Sequence, residues 1–315
     1  MNALLPYVGI DVSKTHLDGE VIPAGEMFHH ANTPAGIAKI VTRLATLAPD
    51  RIVLEATGGY EAALADALWA AGLPVVVMNP RCIRQFAQSI GALAKTDGID
   101  AHVLAQYAFC IKPTVRPLPS GEQRELQALL SRRHQLVTMR VMEVNRQQQA
   151  PKFLQASHRT LIDGIQAEIK AIDRQIEERI RQNAEWRRKA EWLDEIRGIG
   201  FTTAALLVGE MPEIGTLNRG QTAKLAGLAP LNNDSGRHKG ERHIWGGRAP
   251  VRAGLYMATL SAIQWNPTIK AFYERLLSKG KLKMVALTAC MRKLLLICNA
   301  VVRQRTPWVG DPQTA

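Results

Sequence analysis

Short apolar blocks separated by turn residues fill the first 110 positions, and helical spacing takes over beyond them. Tyr7-Val8-Gly9-Ile10 opens a strand over 7–12 with Asp11 near its end. Residues 17–22 and 26–31 are polar/apolar runs on either side of Pro23-Ala24-Gly25, a hairpin signal. Ile37, Ile40, Val41 and Leu44 share a helical face over 34–47, with Thr33-Pro34 as its start. Ile52-Val53-Leu54 marks a strand over 51–56, Gly58-Gly59 turns the chain, and a helix is expected from Tyr60 to Ala71. Pro74 to Met78 reads as a buried strand that Asn79-Pro80 breaks, followed by helices near 81–89 and 97–109.

Three strands, helix, strand, helix, strand, helix is the order of a ribonuclease H-like α/β fold. Pro113, Pro117 and Pro119 then mark a linker, and two long helices are expected over about 121–149 and 158–190, separated around Pro151. In the second, Ile162, Ile165, Ile169, Ile172 and Ile176 alternate spacings of three and four, the seam of a coiled coil. A hairpin within the chain and a dimer between chains both explain that seam. The last third predicts a helix near 219–226, a polar glycine-rich loop from Asn232 to Gly247, and helices near 250–263, 268–278 and 282–304.

Charge changes the picture because it is uneven. The net is +12 over 315 residues, yet residues 196–315 alone hold 17 Lys/Arg against 6 Asp/Glu, and residues 1–115 hold 8 against 10. A polyanion partner is therefore expected at the last third. Cys82, Cys110, Cys290 and Cys298 form no C-x-x-C pair and no zinc-like spacing, which points to reduced thiols in a cytosolic protein. No secretory signal is visible, and the longest apolar stretch, Val285 to Val302, is interrupted by Arg292 and Lys293, so no membrane partner is expected.

Candidate chemistry begins with four carboxylates. Asp11 and Glu55 end two apolar strands, and Asp97 and Asp100, three apart, share one face of a helix that starts there. Like charges so grouped repel unless a cation lies among them, and magnesium, or manganese, prefers such oxygen ligands. Gly198 and Gly200, between two helices, have the pattern of a helix-hairpin-helix turn whose backbone N–H groups hold a phosphate, although a plain helix–helix turn fits equally. Asn232 to Arg242 is the second chemical feature: Ser235 beside Gly236, ringed by Arg237, Lys239, Arg242 and Arg248, with Arg252 close behind. Cations there would neutralise charge developing on phosphorus, and His238 and His243 could move protons. On these residues alone, an Asp-Ser-Gly turn that merely contacts phosphates is the better reading.

The motifs together resemble one family. Gly9-Ile10-Asp11-Val12-Ser13-Lys14, Glu55-Ala56-Thr57-Gly58, Lys95-Thr96-Asp97-Gly98-Ile99-Asp100-Ala101, Gly198-Ile199-Gly200, Leu228-Ala229-Pro230 and Asp234-Ser235-Gly236 stand in its order. Gly246-Gly247-Arg248, Leu255-Tyr256-Met257-Ala258 and Met291-Arg292-Lys293-Leu294 extend the match over nearly the whole chain. The chain is similar to bacterial insertion-sequence transposases of the 110 family, 1111 subgroup, the DEDD transposases related to Piv-type DNA invertases. The resemblance implies a RuvC-like DEDD catalytic domain over 1–112 with magnesium on Asp11, Glu55, Asp97 and Asp100. It implies a coiled-coil helical hairpin over 113–192 and a mainly helical transposase domain over 193–315. It also places the family's essential serine on Ser235, which reverses the reading of that loop.

Such a resemblance leads to the expectation of a bacterial cytoplasmic DNA recombinase. It would cut and rejoin donor and target DNA through a phosphoserine link, guided by a structured non-coding bridge RNA and working as a dimer or tetramer. The alternatives are a hydrolytic nuclease or Holliday-junction resolvase of the same fold, which does not need Ser235, and a non-catalytic nucleic-acid-binding accessory protein. Gly9-Ile10-Asp11 also opens sugar kinases of the actin-like fold, but no later glycine-rich adenosine segment is present, and the basic last third argues against that class.

Overall fold

The computed structural model describes residues 5–92, 97–236, 238–306 and 308, and only the backbone of Asp97, His238 and Lys239. The chain divides into two compact units, 1–119 and 120–315.

The first unit is built on a five-stranded sheet. β1 (Tyr7–Val12), β2 (His16–Ile22) and β3 (Glu26–Ala31) form an antiparallel meander, and β4 (Arg51–Glu55) and β5 (Val75–Met78) add parallel to β1, giving the order β3-β2-β1-β4-β5. Alternation sorts the side chains to two faces. Val8, Ile10, Val12, Leu17, Val21, Ile52, Leu54 and Val75 pack with Ile37, Ile40 and Leu44 of α1 (Pro34–Leu47) and Leu64 and Leu68 of α2 (Ala62–Ala70). Tyr7 and Val53 face the other way, toward Ile83 of α3 (Pro80–Ser89) and Val103, Leu104 and Ala108 of α4 (Asp97–Ile111). Thr33 and Asn79 cap α1 and α3, each followed by a proline at the helix start. The order is the one the sequence pattern predicts, and it fits a RuvC-like DEDD domain.

The second unit is helical. α5 (Gly121–Gln149) and α6 (Gln155–Gln182) form an antiparallel hairpin, with the 3₁₀ turn Lys152–Leu154 at its bend. Ile176 and Ile180, with the partly buried Ile172, pack in the core that Leu126 and Leu130 of α5 also enter, and Ile169 is buried, so the C-terminal part of the isoleucine seam is covered within the chain, while Ile162 and Ile165 are half-buried. Arg133–Asp173 at 2.5 Å and Arg179–Glu125 at 2.8 Å flank it. The single helix expected over 158–190 is two, because the Asn183 side chain accepts from Glu185 N and Trp186 N and starts α7 (Ala184–Asp194). Trp186, Leu193 and Ile180 join a continuous core with α8 (Phe201–Glu210), α10 (Ala249–Trp265), α11 (Pro267–Ser278) and α12 (Lys283–Gln304), so the helical hairpin shares its core with the C-terminal helices. α12 is apolar and long enough to cross a membrane by length and composition, but Leu287, Cys290, Leu294, Leu295 and Cys298 are buried in that core. Burial there pushes the Cys290 thiol up to about 11 and Cys298 to about 12.

Candidate functional site: a carboxylate row and a serine arm

The carboxylates come together through strand register and one bare glycine. Gly9, Val53 and Glu20 lie in one cross-strand row, and the next row toward the C-terminal ends of β1 and β4 holds Asp11 opposite Asp18 of β2. Ile10 pairs with Leu54, so the following positions, Asp11 and Glu55, end neighbouring parallel strands, about 4.8 Å apart as strands are. Both share the face on which α4 lies.

α4 runs antiparallel to β1. Tyr7 meets Phe109 edge-on at 5.4 Å, whereas a Cβ on Gly9 would lie 2.4 Å from Ala101 O and 2.1 Å from Ala105 N. Helix backbone thus rests directly on strand backbone, which only glycine permits. Two residues further along β1 is ~6.6 Å, or roughly four residues of helix at 1.5 Å each. That displacement brings Asp11 level with the first turn of α4, where Asp97 and Asp100 lie. The side chain of Asp97 lies outside the described residues. Among the described residues, no three His, Cys, Asp or Glu side chains form a group able to hold a metal ion.

Three supports of this end of the sheet carry no motif in the sequence. Glu20, 8% exposed, accepts from His102 Nδ1 at 2.9 Å, clamping α4 to β2 one residue past Ala101. Asp18, beside Asp11, is held by His29 Nδ1 at 2.6 Å. Asn32 Nδ2 donates to Ser13 O at 2.9 Å and Tyr60 O at 3.4 Å, tying the loop after β1 to the loop after β4. The latter is shaped by Glu61, which accepts from Thr57 N and Gly59 N, with Gly58 and Gly59 at φ of 72° and 107°. Glu20 shares the Leu17–Val21 run with Asp18 and Gly19, so nothing in the sequence singled it out, and nothing marked its partner.

Ser235 belongs to the second unit, on an arm between α9 (Arg219–Leu225) and α10. Instead of a loop, residues 230–244 form two nested antiparallel pairs. β6 (Pro230–Leu231) pairs with β9 (His243–Ile244), and inside them β7 (Asp234–Ser235) pairs with β8 (His238–Lys239). Ser235 precedes the turn at the tip, where Gly236 adopts a φ of 56°, and it is exposed. The base of the arm is two glycines in backbone contact: a Cβ on Gly247 would meet Gly227 N at 2.1 Å. Arg252 Nη1 donates to Gly246 O at 2.5 Å and to Ala226 O at 3.3 Å, bracing that crossing.

The expected nucleic-acid ligands therefore divide. Arg248 makes a two-pronged pair with Glu213, both distances 2.7 Å, and also donates to Glu210 O at 2.6 Å, so it anchors the arm. Arg242 is exposed on the arm. Arg237 lies outside the described residues, as does the side chain of Lys239. Gly198, at φ 100°, gives close approach to α10, since a Cβ there would stand 2.5 Å from Ala262 Cβ, and Asn266 Nδ2 locks the same turn through Arg197 O at 3.0 Å. Gly200 is the exposed N-cap of α8 and has open space around it.

A sheet end lined with carboxylates, together with a basic helical unit that carries an exposed serine arm, describes a DNA-processing enzyme of the transposase and recombinase class. Comparison with known proteins agrees. Residues 8–155 match the family model for the DEDD transposase of IS110 elements, and residues 190–274 match the one described as transposase, IS116/IS110/IS902 family. The pilin gene-inverting protein of Moraxella bovis is 30% identical over 96% of this chain and 97% of its own length. An uncharacterized 42 kDa protein of insertion element IS900 from Mycobacterium paratuberculosis is 24% identical over 90% of this chain and 91% of its own. The chain belongs to the IS110 family of transposases.

Proposed function

We propose that this transposase is a magnesium-dependent recombinase that mobilises an insertion sequence. A structured non-coding bridge RNA would guide it to donor and target DNA, and it would cut and rejoin strands through a phosphoserine at Ser235. The observation that carries the metal-centred part is the placement of Asp11, Glu55 and the first turn of α4 at one end of one sheet face. An all-carboxylate donor set fits a hard cation such as magnesium or manganese. Asp11, Glu55, Asp97 and Asp100 would hold it, and bound there it would polarise the scissile phosphate. Glu20–His102 and the Gly9 contact hold α4 down, so the carboxylates of helix and strands keep one geometry.

Ser235 supplies the nucleophile. Its hydroxyl loses its proton as Oγ bonds to phosphorus, and the departing strand oxygen is released as an alcohol. The new ester conserves the phosphodiester energy, so the reverse attack by another strand's hydroxyl rejoins DNA without an external energy source. Exposure at the tip of a braced arm favours access to a large substrate. A protein that leaves sequence choice to base pairing needs charge and shape, which the +11 of residues 196–315 supplies. Recombination handles two duplexes, so the working form is a dimer or tetramer.

The test is Asp11→Asn and Asp100→Asn in a recombination assay with magnesium. Both should abolish strand cleavage while DNA binding persists. Full recombination by either variant overturns the metal assignment, and it would favour the accessory-protein alternative if all four acidic positions proved dispensable.

A further inference from the structure

At the foot of the serine arm, a groove of about 750 Å³ opens between β6 and β9 of the arm and helices α9, α11 and α12. Its lining holds five cations, Arg219, Arg242, Arg275, Arg292 and Lys293, and no carboxylate. None of the five is ion-paired with a carboxylate among the described residues. Phe272 organises two of them: Arg275 Cζ lies 5.2 Å and Lys293 Nζ 5.1 Å from its ring centroid. The rest of the wall is apolar, and Met284 and Val285 on it are more than half exposed.

We propose that this groove is a binding track for single-stranded DNA, holding the strand whose phosphate Ser235 attacks. This rests on the nucleophile assigned above. Five cations gathered without counter-charge repel one another, and a polyanion relieves that repulsion. A duplex would present only phosphate and sugar to the groove and would leave its apolar wall unused. A single strand offers phosphates to the cations and base faces to the apolar surface, the combination that single-strand binders use. The geometry leads to the serine. Leu231 and His243 form the outer pair of the arm beside the groove, and Ser235 lies four residues further along the chain. At ~3.3 Å per residue that is about 13 Å, a reach of a few nucleotides of single strand.

The experiment titrates a fluorescent oligothymidylate with the full chain across a salt series. The double variant R275A/K293A should bind more weakly, with the salt slope reduced by ~1.4, about 0.7 per lost single-strand contact. The second pair, R219A/R292A, should do the same, so that misfolding of one variant, checked by circular dichroism, cannot decide the outcome. Unchanged slopes in both pairs overturn the groove. So does a loss confined to a structured RNA probe, which would assign it to RNA. The two readings separate: a Ser235–DNA adduct with unaltered slopes leaves the nucleophile standing without the groove. Altered slopes without any adduct leave a strand-binding groove without the nucleophile.

Discussion

Replacing Gly9 by alanine tests how the carboxylate row is assembled. The added Cβ would stand 2.1 Å from Ala105 N and 2.4 Å from Ala101 O, both backbone atoms of α4. Carbon contacts settle near ~3.5–4.0 Å, so the helix must retreat by about 1 Å or more. Overpacking of this kind costs about 1–3 kcal/mol, and for a unit of this size that lowers Tm by roughly 4–12 °C. The functional loss should be larger in proportion. Asp100 rides on the displaced helix while Asp11 and Glu55 stay with the sheet, and a 1 Å misplacement of reacting groups costs on the order of 100-fold in rate. Strand cleavage and thermal melting of the full chain would be measured side by side. Val53→Ala is the control: it removes buried apolar bulk from the same face without pushing α4 outward, so it should lower Tm yet cut at the wild-type rate well below its melting point. A Gly9→Ala enzyme that cuts normally, whatever its Tm, refutes the claim that this contact positions the acidic residues.

Other contacts give three further expected outcomes. Arg248→Ala removes the two-pronged contact to Glu213 and the one to Glu210 O, and it should reduce strand joining more than DNA affinity, because the arm loses its anchor; a parallel loss of both would make Arg248 a phosphate ligand after all. His158 at 2.6 Å and, secondarily, Arg146 at 3.1 Å hold the Glu143 carboxyl below the usual range, so its contribution is complete above about pH 4.3 and fades as pH falls through the lowered value. The melting difference between Glu143→Gln and wild type should therefore be present at neutral pH and close in acid; a gap that widens on acidification contradicts this. Mixing an Asp11→Ala chain with a Ser235→Ala chain should restore recombination if the carboxylates and serine are supplied by different protomers, and intact assemblies without activity would show that one chain supplies both.

The sheet was legible because its strands are apolar runs punctuated by Pro23-Ala24-Gly25, Gly58-Gly59 and Asn79-Pro80, and Asp11 and Glu55 stood out as charges closing such runs. The break between α6 and α7 was hidden: Asn183 interrupts the helix with a side-chain cap, with no Gly or Pro at the junction. The arm was hidden as well, because two-residue strands are too short to show alternation, and its base is Gly227 and Gly247 meeting backbone to backbone. Long-range pairing explains the remaining misses. Glu20 and His102 are 82 residues apart, and Arg248 and Glu213 are 35 apart, so spacing could neither reveal the clamp on α4 nor show that one of the arm's cations is already neutralised.

The most direct measurement is to stop the reaction midway and look for protein joined covalently to a DNA strand end. The account predicts an adduct that survives denaturant, maps to Ser235, and disappears in both Ser235→Ala and Asp11→Asn. No adduct, with near-normal cutting by Ser235→Ala, would instead mean a hydrolytic nuclease with water as nucleophile, and attachment at Ser261, Ser278 or any residue outside 232–247 would mean a different serine chemistry from the one assigned.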